Sequence, residues 1–150
     1  MYKNLYRCTE RCLYEYLSNC EKIERLKREL ALLELRGDVK VQSYGHEANC
    51  GNVSDPVFEY LVRLEKLEEK INRLERITTA VKKFIADLEE KQSRKNLQLL
   101  KILRLCYFER QPVETVVKEM RISRPVFYDR KRALVRRAMS FVDSFFTKSP

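Results

Sequence analysis

Apolar residues recur along this chain at helical spacing for most of its length. From residue 2 to residue 36 they follow a seven-residue repeat, with Tyr2, Thr9, Tyr16, Ile23 and Leu30 at one seam position and Leu5, Cys12, Asn19, Leu26 and Leu33 at the other. A repeat of this period keeps one narrow stripe facing a partner helix, which predicts a long, coiled-coil-like helix. Gly37 is expected to end it. A second repeat sets Val57, Leu64, Ile71, Thr78 and Ile85 against Tyr60, Leu67, Leu74, Val81 and Leu88. Ser54 is its expected cap, and Pro56 fits the first turn, where a missing N–H costs nothing. Between the two helices, residues 37–55 are polar, hold Gly45 and Gly51, and show no period beyond Val39-Lys40-Val41, a short alternation of the kind a strand fragment has. A loop of that length is expected to be functional or disordered.

The two long helices match at about 50 Å each, taking a rise of 1.5 Å per residue. An antiparallel hairpin is the simplest packing, and pairing of the seam between two chains, giving a homodimer, is the alternative. A hairpin two helices thick leaves Leu61, Ile77 and Phe84 outside its seam, which favours self-association or packing on the rest of the chain.

Beyond a charged stretch at 91–96, where the second helix can bend or continue, the periods shorten. Leu97 to Phe108 reads as a helix with Leu100, Leu103 and Tyr107 on one face. Val113 to Met120 places Val116, Val117 and Met120 together, with Glu114, Lys118 and Glu119 turned away. Arg121 and Ile122 make a short connection. Ser123 then caps a further helix, and Pro125 sits in its first turn. Along that helix Phe127, Leu134, Ala138 and Phe141 fall on the core side, while Pro125, Tyr128, Asp129, Arg132 and Arg136 point the other way. Phe141, Phe145 and Phe146 either close the same core or form a partner site. The fold class is therefore all-α: a long antiparallel helical hairpin over 1–92, with its polar loop at 37–55, followed by a helix-turn-helix domain over 93–150.

Charge changes this picture from architecture to partner. The chain of 150 residues has a net charge of +9. Residues 1–92 hold 17 Lys and Arg against 17 Asp and Glu, whereas residues 93–150 hold 14 against 5. The whole excess sits beside the two short helices, where it would steer the domain to a polyanion and make affinity strongly dependent on salt. A wide exposed apolar face with interfacial tryptophan is missing from the basic helix, so nucleic acid is favoured over a membrane surface. Double-stranded DNA is the expected partner.

Residues at the start and on the outward side of the second short helix lie closest to base edges. Arg124, Tyr128, Asp129 and Arg132 meet one or both conditions and are the expected base readers; arginine offers a bidentate fork to guanine, and Asp129 accepts from a cytosine amino group or orients an arginine. Ser123, Lys131, Arg136 and Arg137 are the expected backbone contacts.

Leu103 to Ala138 also resembles region four of bacterial sigma factors. The residues that carry the likeness are Leu-Arg-Leu-Cys-Tyr-Phe at 103–108, Val116 to Met120, Ile122-Ser123-Arg124, Tyr128, and Ala133-Leu134. Within that superfamily the chain resembles phage-encoded regulators of the ArpU/RinA type, which place a helical, coiled-coil-like segment ahead of a sigma-like helix-turn-helix. The resemblance implies a phage late-gene activator that works with host RNA polymerase. It departs at Arg121, where the turn usually carries glycine, so Arg121 either takes a left-handed conformation or the turn differs in shape.

Other chemistry is thin. Cys8, Cys12, His46 and Cys50 could be written as a zinc set, but a hairpin would hold the first pair about 40 Å from the second, and no two-residue knuckle exists. Cys12 and Cys20 read instead as small buried residues, with Cys50 exposed. A single histidine finds no nucleophile to activate, and there is no Gly-rich phosphate loop, so neither an enzyme nor a cofactor is expected. Five cysteines without a secretory leader point to reduced thiols and a cytoplasmic location. The alternative function is a phage DNA-packaging adaptor. The order of parts favours the regulator, because packaging adaptors generally carry the DNA-binding domain ahead of the oligomerisation helices.

Overall fold

The computed structural model describes residues 2–43 and 55–147. Its elements are α1 (Tyr2–Ser43), α2 (Pro56–Glu90), α3 (Arg94–Ile102), which runs into a π-helical segment (Leu103–Phe108), α4 (Val113–Met120) and α5 (Arg124–Thr147). No strand occurs among the described residues. By compactness the chain forms two units. Residues 20–75 form one unit, and residues 1–19 with 76–150 form the other.

In the unit of residues 20–75, the two helical segments run antiparallel: Gly37 lies against Tyr60, Glu29 faces Arg63 at 3.7 Å, and Lys27 meets Glu75 at 2.7 Å. These ion pairs are exposed and worth at most about 1 kcal/mol each. The seam does more. Ile23, Leu26 and Ile71 are buried, and Leu30, Leu33, Tyr60, Leu64, Leu67 and Leu74 are half-buried, as the seven-residue repeat predicts.

Two expectations fail here. Gly37 does not end the first helix, which continues through it to Ser43, so Val39-Lys40-Val41 is helical and not a strand fragment. A Cβ at Gly37 would overlap the Tyr60 ring, so the glycine serves close approach of the second helix instead of termination. The expected cap Ser54 lies outside the described residues, as do His46, Cys50 and the rest of 44–54. Asp55 caps α2 instead: its Oδ1 accepts the Val57 amide at 3.1 Å and its carbonyl accepts the Glu59 amide at 3.0 Å. Outside the seam, Leu32, Leu35, Phe58 and Leu61 remain exposed.

The other unit is built on one apolar core that draws from every helix. Cys12 and Leu13 of α1 and Val81, Phe84 and Leu88 of α2 join Leu99, Ile102, Val116, Phe127, Leu134 and Ala138. Phe84 is fully buried, with its ring 5.6 Å from that of Phe141, and Ile77 packs on the same cluster. Two of the three residues expected to be surplus on α2 are therefore spent inside this unit. Thr9, Asn19 and Thr78 are buried at seam positions, and polar groups there fix register by penalising slipped pairings.

At the end of α2 the helix neither bends nor continues. The Asn96 side-chain amide donates to the Lys91 carbonyl at 2.7 Å, and the Ser93 hydroxyl accepts the Asn96 backbone amide at 3.2 Å, capping α3. The π-helical segment follows because Leu103, Leu105, Cys106 and Tyr107 all have to face the core. A wider turn brings more consecutive residues to one side, and the Glu109 amide accordingly reaches the Arg104 carbonyl at 2.9 Å. Of the phenylalanines at the end of α5, Phe141 closes the core while Phe146 stays exposed.

Candidate nucleic-acid interface

The connection between α4 and α5 decides what α5 can present. Arg121 takes the left-handed conformation, φ 55° and ψ 45°. Its amide donates to the Lys118 carbonyl at 3.3 Å, and the Ile122 amide donates to the Val117 carbonyl at 3.2 Å. These two bonds are the Schellman closure, which satisfies the last carbonyls of α4 and turns the chain sharply. Ser123 then offers its carbonyl to the Phe127 amide at 2.9 Å and so stands at the N-cap of α5. Val116 is fully buried in the core that holds Phe127 and Leu134, and Val117, Met120 and Ile122 pack against the same core, so α4 is anchored there.

Anchoring one side of α5 exposes the other. Arg124, Tyr128, Asp129, Arg132 and Arg136 are all exposed, as is Ser123. The side facing in also holds Val135, Met139 and Val142, which the sequence reading passed over. Arg124 bonds Glu114 of α4 at 2.9 Å, and Arg132 bonds Asp129 at 2.5 Å. Both pairs are more than half exposed, so each is held by about 0–1 kcal/mol and exchanges readily for a stronger anion. Tyr128 sets its ring edge-on to Phe127 at 5.2 Å and is 46% exposed.

Two of the expected backbone contacts are turned inward. The Lys131 ammonium lies 3.3 Å from Glu10 and 3.4 Å from the Tyr14 hydroxyl, above the rings of Tyr14 and Tyr107. Burial works to lower its pKa, but Tyr14, Cys106 and Glu10 outweigh it and the net direction is up, so the charge is retained within the fold. Arg137 donates to Asp87 at 2.8 Å and to Asn96 at 2.7 Å. Both cations are drawn into the core wall by partners far off in sequence.

Three cations that the sequence reading did not single out take their place near α5. Arg94 and Lys95 at the start of α3, with Arg130 of α5, line one groove of about 660 Å³. Nothing in the sequence showed that α3 would lie beside Arg130.

Four cysteines lie among the described residues. Cys12 and Cys106 are buried, Cys8 and Cys20 half-buried. Burial pushes the Cys12 thiol up to about 11, the direction of an inert thiol. No group of His, Cys, Asp and Glu that could hold a metal occurs among the described residues. Within the same residues no helix is long and apolar enough to cross a membrane.

The sequence profile of the family described as "Protein of unknown function (DUF1492)" matches residues 38–139, more than half of the chain. No curated protein and no solved structure matches.

Proposed function

The chain belongs to the DUF1492 family, whose description states no function, and we propose that it is a sequence-specific DNA-binding transcription regulator that lays α5 in the major groove as the second helix of a helix-turn-helix. The observation that carries this reading is the outward face of α5. Arg124, Tyr128, Asp129 and Arg132 stand exposed over its first turns, behind a tight turn, in the part of the chain that holds 14 cationic against 5 anionic side chains. Arginine and aspartate so placed can read guanine and cytosine edges. Among the expected phosphate contacts, Ser123 and Arg136 remain on this face, and Lys131 and Arg137 serve the fold.

The sigma-like resemblance extends the proposal to promoter DNA and host RNA polymerase, as for a phage late-gene activator. Selection of bound duplexes from a random pool at stated salt tests the core of it. Recovery of a short motif is the expected result. Binding without enrichment would reduce the protein to a non-specific DNA binder, and no salt-dependent binding at all would remove DNA as the partner.

A further inference from the structure

The groove between α3 and α5 has a composition suited to one chemical class. It is lined by Arg94, Lys95 and Gln98 of α3 and by Val126, Arg130 and Ala133 of α5. The Arg130 guanidinium is bonded to the Gln98 side chain, which fixes its direction. Its buried Nε has no hydrogen-bond partner within the protein. Asp129 is the single carboxylate on the lining, and its Oδ1 is taken by Arg132. Three guanidinium and ammonium groups beside two small apolar side chains suit a ligand whose negative charge alternates with a less polar ring.

We infer that this groove seats the sugar-phosphate backbone of the duplex, with phosphate oxygens between Arg94, Lys95 and Arg130 and a deoxyribose against Val126 and Ala133. The inference rests on the DNA-binding reading and adds to it a second strand of contact. Val126 and Ala133 lie on the α5 flank next to Asp129, so a backbone held here runs alongside the helix that reads the bases. Contacts of this kind set register and affinity without reading sequence. A guanidinium already oriented by Gln98 loses less freedom on binding than a free one. Arg94 and Lys95 are exposed, as the groove requires.

The test compares two double variants of the full chain: Arg94→Gln with Lys95→Gln, and, as an equal loss of charge on an exposed stretch of α2, Lys82→Gln with Lys83→Gln. Each is titrated with a short mixed-sequence duplex over a series of salt concentrations, after urea unfolding has shown that both fold as the wild type does. The groove variant should bind more weakly on every sequence and lose about two units of slope in the plot of log affinity against log salt, while the control keeps the wild-type slope. Equal slopes for the two doubles would overturn the groove and leave DNA binding standing. Absence of salt-dependent binding by the wild type would overturn both.

Discussion

Arg137 donates one guanidinium nitrogen to Asp87 at 2.8 Å and the other to Asn96 at 2.7 Å, joining α5 to the end of α2 and the start of α3. Asn96 is in turn bonded to the Lys91 carbonyl, so one arginine closes a network around the helix break at 91–93. Arg137→Ala would strip a charged donor from a half-buried carboxylate and a buried amide. A stability loss of about 1–3 kcal/mol is expected in urea unfolding, because hydrogen bonds to charged groups are worth more than neutral ones. DNA affinity of the folded variant should change little. A variant as stable as the wild type but weaker on all DNA would put Arg137 on the interface after all.

Arg121 offers a prediction of opposite sign. A side chain at φ 55° bears the left-handed strain that glycine avoids, of order 1–2 kcal/mol, while glycine returns part of that as unfolded-state entropy. Arg121→Gly should therefore raise stability by about 0.5–1 kcal/mol. An unchanged or lower urea midpoint would show that the arginine's own contacts outweigh the strain.

Much of the architecture was legible because helical periodicity states which face is apolar without needing to know the partner. Thr9, Ile23, Leu26, Ile71, Val81 and Leu88, all assigned to a seam by spacing alone, are buried. Phe127, Leu134 and Ala138 were legible for the same reason. What spacing leaves unsaid is which residue meets which. Gly37 as a helix end and Gly37 as a site of close approach look alike in sequence, and only Tyr60 on the opposite helix distinguishes them. Lys131 and Arg137 sit on α5 among cations that point outward, yet the partners that turn them inward lie 117 and 50 residues away, at Tyr14 and Asp87. Phe84 looked like surplus on a hairpin because the core that absorbs it is assembled from α3, α4 and α5.

Alkaline pH should expose the buried acids. Burial holds the Cys12 thiol at about 11 against an ordinary 9.0, and burial, reinforced by Glu10, also raises Tyr107. In the unfolded chain these groups release their protons first. Above pH 9 the unfolded state thus binds fewer protons than the folded one, and stability falls as pH rises. The Cys12 contribution is complete below about 9 and is lost between there and about 11. Cys12→Ala should lower stability somewhat at neutral pH by emptying part of the core, yet flatten the decline over that window. Urea midpoints from about pH 8 to about pH 10.5 for both proteins would check it; parallel declines would mean that Cys12 is not the group that titrates.

The sharpest separation between reading and holding DNA falls on Arg132 and Arg136, one turn apart on the same exposed side of α5. Arg132 now bonds Asp129 at 2.5 Å, with the two side chains 56% and 69% exposed. A pair so open to water is worth about 0–1 kcal/mol, whereas a bidentate arginine on guanine discriminates by about 1–3 kcal/mol. Opening the pair to reach a base is therefore favourable, and Asp129 is left free to accept from a cytosine amino group or to orient the arginine. Arg132→Ala should lose about 1–3 kcal/mol on a selected site and relax preference at one base pair, with little change on scrambled DNA. Arg136, further from the N-terminus of α5, should contact phosphate, so Arg136→Ala should weaken all sequences alike and shallow the salt slope by about one unit. Paired titrations on selected and scrambled duplexes decide between the roles. Equal losses on the two DNAs for Arg132→Ala would take it out of the reading set, and a sequence-dependent loss for Arg136→Ala would put that residue in its place.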